Sequence, residues 1–290
     1  MRMLQAILYV PTVAYLIALT IFPLIYSLYI SLFDYTLTGG GAKFVGLGNY
    51  AFLLKDPDFW ISALNTLIIV ASTVSIELVL GMVIAILLNR RWKGFGLFQL
   101  LIFIPMMLSP LVLGYFWKFM YDSQFGIINW FLSLVGTGPV SWLTSRALAL
   151  PSIILVDVWQ WTPFMVLIIL AGLQTVPVEE YEAASLDRAS SWLQFRKITL
   201  PYLKPSILLA TLLRTIDSFR MFDLVYILTG GGPGNSTQTL SLAAYKYGYQ
   251  FFQIGKAAAL SWVMVIIVNI IVTILMKVIK GKPQSQKAIS

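Results

Sequence analysis

Apolar residues in this chain fall into runs long enough to cross a bilayer, separated by shorter polar stretches. Leu4 to Phe33 carries no charge, Phe59 to Asn89 only Glu77, and Phe95 to Trp117 none. Ala147 to Val178 carries only Asp157, and Ala257 to Met276 is again uncharged. Pro205 to Thr229 is the exception, with Arg214, Asp217, Arg220 and Asp223. A helix needs about 20 apolar residues to span the hydrocarbon core. The pattern therefore predicts an all-α integral membrane protein with six transmembrane helices, forming one domain over 1–290. The first run is longer than a signal-peptide core and lacks a cleavage region, so it reads as a retained span.

The pattern is broken most visibly at EEYEAASLDRASSWLQFRKITLP, from Glu179 to Pro201, where seven of 23 residues are charged. A turn between spans needs far fewer. Two short helices joined by a turn account for it. Glu179, Glu180 and Glu182 complement the positive end of the first helix dipole, and Ala183 and Ala184 favour helix strongly. Ser190 is suited to cap the second helix, with Arg196 and Lys197 at its negative end. Pro201 is then expected to stop that helix and Pro205 to open the next span. Small alanines on a short polar helix suit docking into a groove of another protein; an amphipathic helix on the membrane surface is the plainer alternative.

Charge placement sets the topology. Of twenty basic residues, twelve fall in one set of alternate segments: Arg2, Arg90, Arg91, Lys93, Arg188, Arg196, Lys197, Lys204, Lys277, Lys280, Lys282 and Lys287. Six fall in the other set, and Arg214 and Arg220 lie within a span. The positive-inside rule then puts both termini and the Glu179–Pro201 segment in the cytoplasm. The net charge of +8 is thereby a topology signal rather than a nucleic-acid surface. With 59% apolar and 11% charged residues, a soluble globular domain is excluded. The absence of His and Cys removes disulfides, thiolates, the usual metal ligand and the commonest general base.

On the other side, Asp34–Asp58 carries the glycine run TGGGAKFVGLGN, and Tyr121–Arg146 contains IINWFLSLVG, too short to span and expected either to lie at the membrane interface or to pack as a half-helix. GGGPGN at 230–235 lacks the lysine of a phosphate-binding loop and reads as a turn or an external contact. Asn235-Ser236-Thr237 matches a glycosylation acceptor, a motif short enough to arise by chance. No internal repeat is visible, which weighs against an inverted-repeat carrier.

Ionisable residues inside a membrane are expensive and default to functional hypotheses. Measured from Pro205, Arg214 lies about 14 Å deep at ~1.5 Å per residue. Arg214, Asp217, Arg220 and Asp223 alternate in sign at i, i+3 spacing. They read either as a stripe neutralised along its own helix or as part of a wet cavity. Asp157, Trp159, Gln160 and Trp161 combine hydrogen-bonding groups with aromatic faces, as a sugar site requires, although interfacial Trp also anchors spans. Glu77 serves either a helix–helix hydrogen bond or the pathway.

EAASLDRASSWLQFRKITLP resembles the cytoplasmic loop of the membrane subunits of ABC importers. The matching residues are Glu182, Ala183, Ala184, Asp187, Ile198, Leu200 and Pro201. Arg188 stands where that pattern most often has glycine, so the turn lacks glycine's access to positive φ. Val158–Pro177 and FDLVYILTGGGPGNSTQTL at 222–240 are similar to the sugar-permease branch.

The resemblance implies the type I importer fold and a non-catalytic, multi-pass permease in a prokaryotic plasma membrane. It implies a coupling loop at 174–204, with contact to an ATPase carried by Glu179, Glu182, Ala183, Ala184, Leu186, Asp187, Arg188, Ala189, Leu200 and Pro201. The implied partners are a second related permease, two ATPase subunits holding ATP and Mg, an external binding protein and a sugar. The chain itself would bind no cofactor, metal or nucleic acid. A stand-alone carrier coupled to ions or protons through Glu77, Asp157 or the charged stripe is the alternative; it would have no use for the docking loop. Without His or Cys, and with its carboxylates spread over several spans, no enzymatic constellation emerges.

Overall fold

Two of the apolar runs break within their length, one at Ser109 before Pro110 and one at Arg220. A computed structural model describes residues 2–39, 41–90 and 95–280. Arg91 and Lys93 of the inside turn RRWKG, and Lys282 and Lys287, lie outside the described residues. Two compact units are distinguished, Met1–Ala63 with Leu240–Ile267, and Leu64–Thr239 with Val268–Ser290.

The first unit begins with α1 (Arg2–Ser31), whose apolar window buries nothing within the chain. An apolar helix surface has no need of protein cover where lipid is the solvent. A small hairpin, β1 (Phe33–Tyr35) and β2 (Ala42–Phe44), follows with Phe33 opposite Phe44. Then come α2 (Gly48–Lys55) and the start of α3 (Pro57–Leu88). Buried Asn49 fixes the exit of α1 by donating its amide to the carbonyls of Ser31 (2.8 Å) and Phe33 (2.9 Å).

In the second unit, α4 (Phe95–Met107) and α5 (Pro110–Met120) form a pair bent by 98°. Pro110 sits at the first turn of α5, where its missing N–H is harmless. The short apolar piece of the loop after α5 is the helix α6 (Ile127–Leu134). The long, mostly buried α7 (Ala149–Leu173) leads to two short helices, α8 (Val178–Leu186) and α9 (Ser191–Gln194). A single π-turn, Phe195–Thr199, joins α9 directly to α10 (Leu200–Phe219), and α11 (Asp223–Leu228) follows a break. The glycine loop after α11 is a turn in which Gly230, Gly231, Gly234 and Asn235 all have positive φ. The first unit resumes with α12 (Leu240–Tyr245) and the first half of α13 (Ile254–Lys280).

Two expectations need correction. Pro201 does not stop the second loop helix, because the π-turn shifts the hydrogen-bond register: Leu200 N–H reaches back to Phe195 O, and the prolines that follow sit inside α10. The predicted span Pro205–Thr229 is not one helix, since α10 ends at Phe219 and α11 starts at Asp223. By length and apolarity the described residues carry four spans, or five with the bent pair counted as one, against six predicted. α10 is long enough to span, but Lys204, Arg214 and Asp217 make it the most densely charged of the long helices.

Close helix packing relies on glycine. A Cβ at Gly81 of α3 would lie 2.5 Å from Met165 Cβ of α7, and one at Gly172 of α7 would lie 2.4 Å from Ser206 Oγ of α10. Gly81→Ala is expected to destabilise the folded protein by about 1–3 kcal/mol, since the crowded neighbour is a rigid Cβ. Gly138→Ala, with nothing within 4 Å, should change little. Thermal unfolding in detergent tests the pair; equal melting temperatures would show that the helices can separate freely.

Candidate functional site

The ionisable residues scattered over three apolar runs meet at one point. Arg214 of α10 donates from Nε to Glu77 Oε2 (2.7 Å) and from Nη2 to Glu77 Oε1 (3.0 Å), a two-pronged contact with α3. Nη2 also donates to Asp157 Oδ2 of α7, and Nη1 to Asp217 Oδ2 at 3.2 Å. The side chains of Arg214 and Glu77 are 1% and 0% exposed, while Asp217 is 45% exposed. Such burial is tolerable only because each charge is paired and hydrogen-bonded. One turn away, Thr73 Oγ1 and Ser218 Oγ lie 3.1 Å apart, extending the same antiparallel register between α3 and α10.

Arg214 is therefore not neutralised chiefly along its own helix: its closest partners come from α3 and α7. Only Asp217 supplies the predicted i, i+3 contact, which it shares with Arg220 Nη2 at 3.3 Å. Asp223 lies beyond the break, in the first turn of α11.

A cavity of about 300 Å³ opens beside the cluster, lined among others by Asp157, Gln160, Trp161, Arg214, Asp217, Arg220 and Asp223. The Trp161 ring centroid lies 5.2 Å from Arg214 Cζ, a cation–π contact. Trp159 is not part of this wall. It packs edge-on to Trp117, centroids 5.5 Å apart, beside a separate apolar groove on α3, α4, α5 and α7. Helical geometry dictates the split, because residues 157 and 161 share a face while 159 points away. Gln160 lines the cavity but its Nε2 donates to Leu108 O at 3.2 Å, satisfying a carbonyl freed by the bend between α4 and α5. Glu77 stands behind Arg214, outside the cavity wall. Among the described residues, no acidic group of three or more could hold a metal.

The polar segment forms a second candidate surface. α8 has no buried residue, and Leu186 is 86% exposed. Glu179, Glu182 and Ala183 are exposed along it, with Ala184 half-buried. Ser190 caps α9 as predicted, accepting from Leu193 N–H at 3.3 Å. Three residues missed in the sequence, Tyr181, Thr199 and Tyr202, tie the segment to the foot of α10: Tyr181 Oη lies 2.8 Å from Thr199 Oγ1 of the π-turn. Tyr202 Oη also donates to Glu180 Oε1 at 3.3 Å. No local pattern announces these contacts, because they join residues 18 and 22 positions apart.

Arg188 adopts φ 55, so the turn after α8 is left-handed although no glycine is there. Ala189 N–H bonds Ala184 O (2.9 Å) and Arg188 N–H bonds Ser185 O (3.0 Å), the paired bonds of a Schellman cap. Arg188, Ala189 and Asp187 thus shape the exit of α8, and Leu200 and Pro201 lie in the first turn of α10.

Residues 77–282 match the family described as binding-protein-dependent transport system inner membrane component. The chain is 44% identical over 260 residues to a probable ABC transporter permease of Sinorhizobium fredii, covering 89% of this chain and 84% of the relative. It is 42% identical over 235 residues to a trehalose/maltose transport system permease protein of Thermococcus litoralis, covering 81% and 79%. A bacterial ABC transporter that imports the acidic polysaccharide alginate contains a chain of like fold, with TM-score 0.82 at 20% identity over 96% of this chain and 95% of that one.

Two stability predictions follow from the cluster and the cap. Arg214→Gln should cost about 3–5 kcal/mol by stranding two buried carboxylates, whereas Asp217→Asn should cost under about 1 kcal/mol. Arg188→Gly should stabilise the segment by roughly 1 kcal/mol by relieving the left-handed backbone. Melting temperatures of the purified variants check the first pair, and hydrogen exchange across α8 and α9 checks the cap. An Arg214→Gln protein as stable as wild type would refute the account of the cluster.

Proposed function

The chain belongs to the family of binding-protein-dependent transport system inner membrane components, and from that premise we propose that it is the permease subunit of an ATP-driven saccharide importer. It forms half of the translocation pathway and couples that pathway to separate ATPase subunits through α8. A second, related permease supplies the other half. Two ATPase subunits hold ATP and Mg, and an external binding protein delivers the substrate. The saccharide class is supported by the trehalose/maltose permease of Thermococcus litoralis.

The observation that carries the coupling role is α8 itself. A helix with no residue buried in its own chain, yet presenting Leu186 and Ala183 to the outside, is a docking surface without its groove. The Tyr181–Thr199 contact holds this helix to the π-turn at the foot of α10. α10 in turn carries Arg214, which grips α3 and α7. A tilt imposed on α8 by nucleotide-driven closure therefore reaches the cavity through one helix. The cavity beside Arg214 is read as part of the saccharide path. The stand-alone carrier gains nothing here, because Glu77 and Asp157, its coupling carboxylates, are both engaged by Arg214.

The test is ATPase activity that co-purifies with the chain after mild extraction from its membrane. Glu182→Lys is expected to lower it by roughly tenfold or more, equivalent to at least ~1.4 kcal/mol of docking, while membrane insertion is unchanged. Undiminished ATPase in that variant would sink the docking role. Tyr181→Phe should leave the complex intact but reduce stimulation of ATPase by substrate-loaded binding protein about fivefold, the worth of one hydrogen bond of ~1 kcal/mol.

A further inference from the structure

We infer that the cavity beside Arg214 admits uncharged saccharides and excludes those bearing a carboxylate, sulfonate or phosphate, with Asp217 as the specificity-determining residue. The inference rests on the proposal that this cavity is part of the saccharide path.

Its ground is a count of donors and charges. A guanidinium has five N–H groups. In Arg214 four are engaged: two by Glu77, one by Asp157 and one by Asp217. A single Nη1 hydrogen remains, so the paired fork that recognises a carboxylate or phosphate is already spent on the protein. Arg220, 71% exposed, is the other cation of the wall; it gives one N–H to Asp217 and holds its others toward the open rim, where water competes for them. Against these two cations the wall sets Asp157, Asp217 and Asp223, with Glu77 directly behind Arg214. The surplus is negative, and an anionic solute entering the cavity meets like charge.

Hydroxyl groups meet the opposite situation. Each oxygen of Asp217 accepts one arginine bond and retains further acceptor capacity, on a side chain 45% exposed. Gln160 gives one amide hydrogen to Leu108 O, which turns its side chain so that the oxygen is open to a hydroxyl. Trp161 adds an aromatic ring to the same wall. The buried end of the cavity, where Arg214 keeps a single free N–H beside the oxygens of Asp157, Asp217 and Gln160, is thus rich in acceptors, as suits a ligand whose polar groups are O–H.

The experiment uses the assembled importer in lipid nanodiscs, without its binding protein, so that selection upstream does not intervene. Saturation-transfer NMR compares maltotriose with maltotriose oxidised to a uronate at one terminal C6. Maltotriose is expected to bind and the uronate to bind at least about tenfold more weakly. Asp217→Asn should bring the two within about threefold by freeing Arg220 and one more hydrogen of Arg214. If the wild-type complex binds both equally, and Trp161→Ala abolishes both, the cavity holds saccharide and the charge argument is overturned. If no saccharide binds, or Trp161→Ala changes nothing while ATPase activity persists, the reading of the cavity itself falls.

Discussion

The packing of α3, α7 and α10 is organised around the requirement that a buried guanidinium be paired with carboxylates. Arg214 meets it by drawing a carboxylate from α3 and another from α7 onto one group of α10. Desolvation makes such a charge intolerable alone, so the three helices are held in the one register that supplies both partners. The Thr73–Ser218 contact one turn away, and the glycines at positions 81 and 172 that bring α3 and α10 close to α7, belong to the same arrangement. Small residues permit the approach, and the charge cluster makes it specific.

A second constraint concerns broken helices. Within a membrane, backbone groups released at a break need protein partners. The bend between α4 and α5 frees Leu108 O, and Gln160 takes it. The end of α11 frees Ile227 O, and Lys118 donates to it at 3.0 Å. The π-turn before α10 keeps the chain helical past Pro201 by changing register rather than by breaking. Polar side chains in apolar runs are therefore partly structural, and Gln160 serves both ends at once.

The α8 segment follows another logic. It is exposed, braced at its base, and closed by a cap whose left-handed residue is arginine. A non-glycine residue at positive φ carries strain of about 1–2 kcal/mol. The cap's two backbone hydrogen bonds and the contact of Gln194 Nε2 with Ala189 O at 3.1 Å hold it there. In the importer reading, a stiff joint of this kind passes displacement along instead of absorbing it.

Much of this was legible in the chain. Long apolar runs fixed the class, because length and hydropathy are local properties. The EAA-type segment, its Ser190 cap and its acidic first turn could be read because capping and dipole effects act within a few residues. The family followed from motifs that are themselves contiguous. Even the separation of Trp159 from Trp161 was available from a spacing of two residues on a helix. What the sequence left open was partnership. Nothing local says that Glu77, Asp157 and Arg214, at separations of 57 and 137 residues, share one ion-pair cluster. Nor does it say that Tyr181 would find Thr199, or that the charged fifth run would break at Arg220. Those outcomes depend on which faces the packed helices bring together, and pairing energies between distant groups exist only once the helices have met.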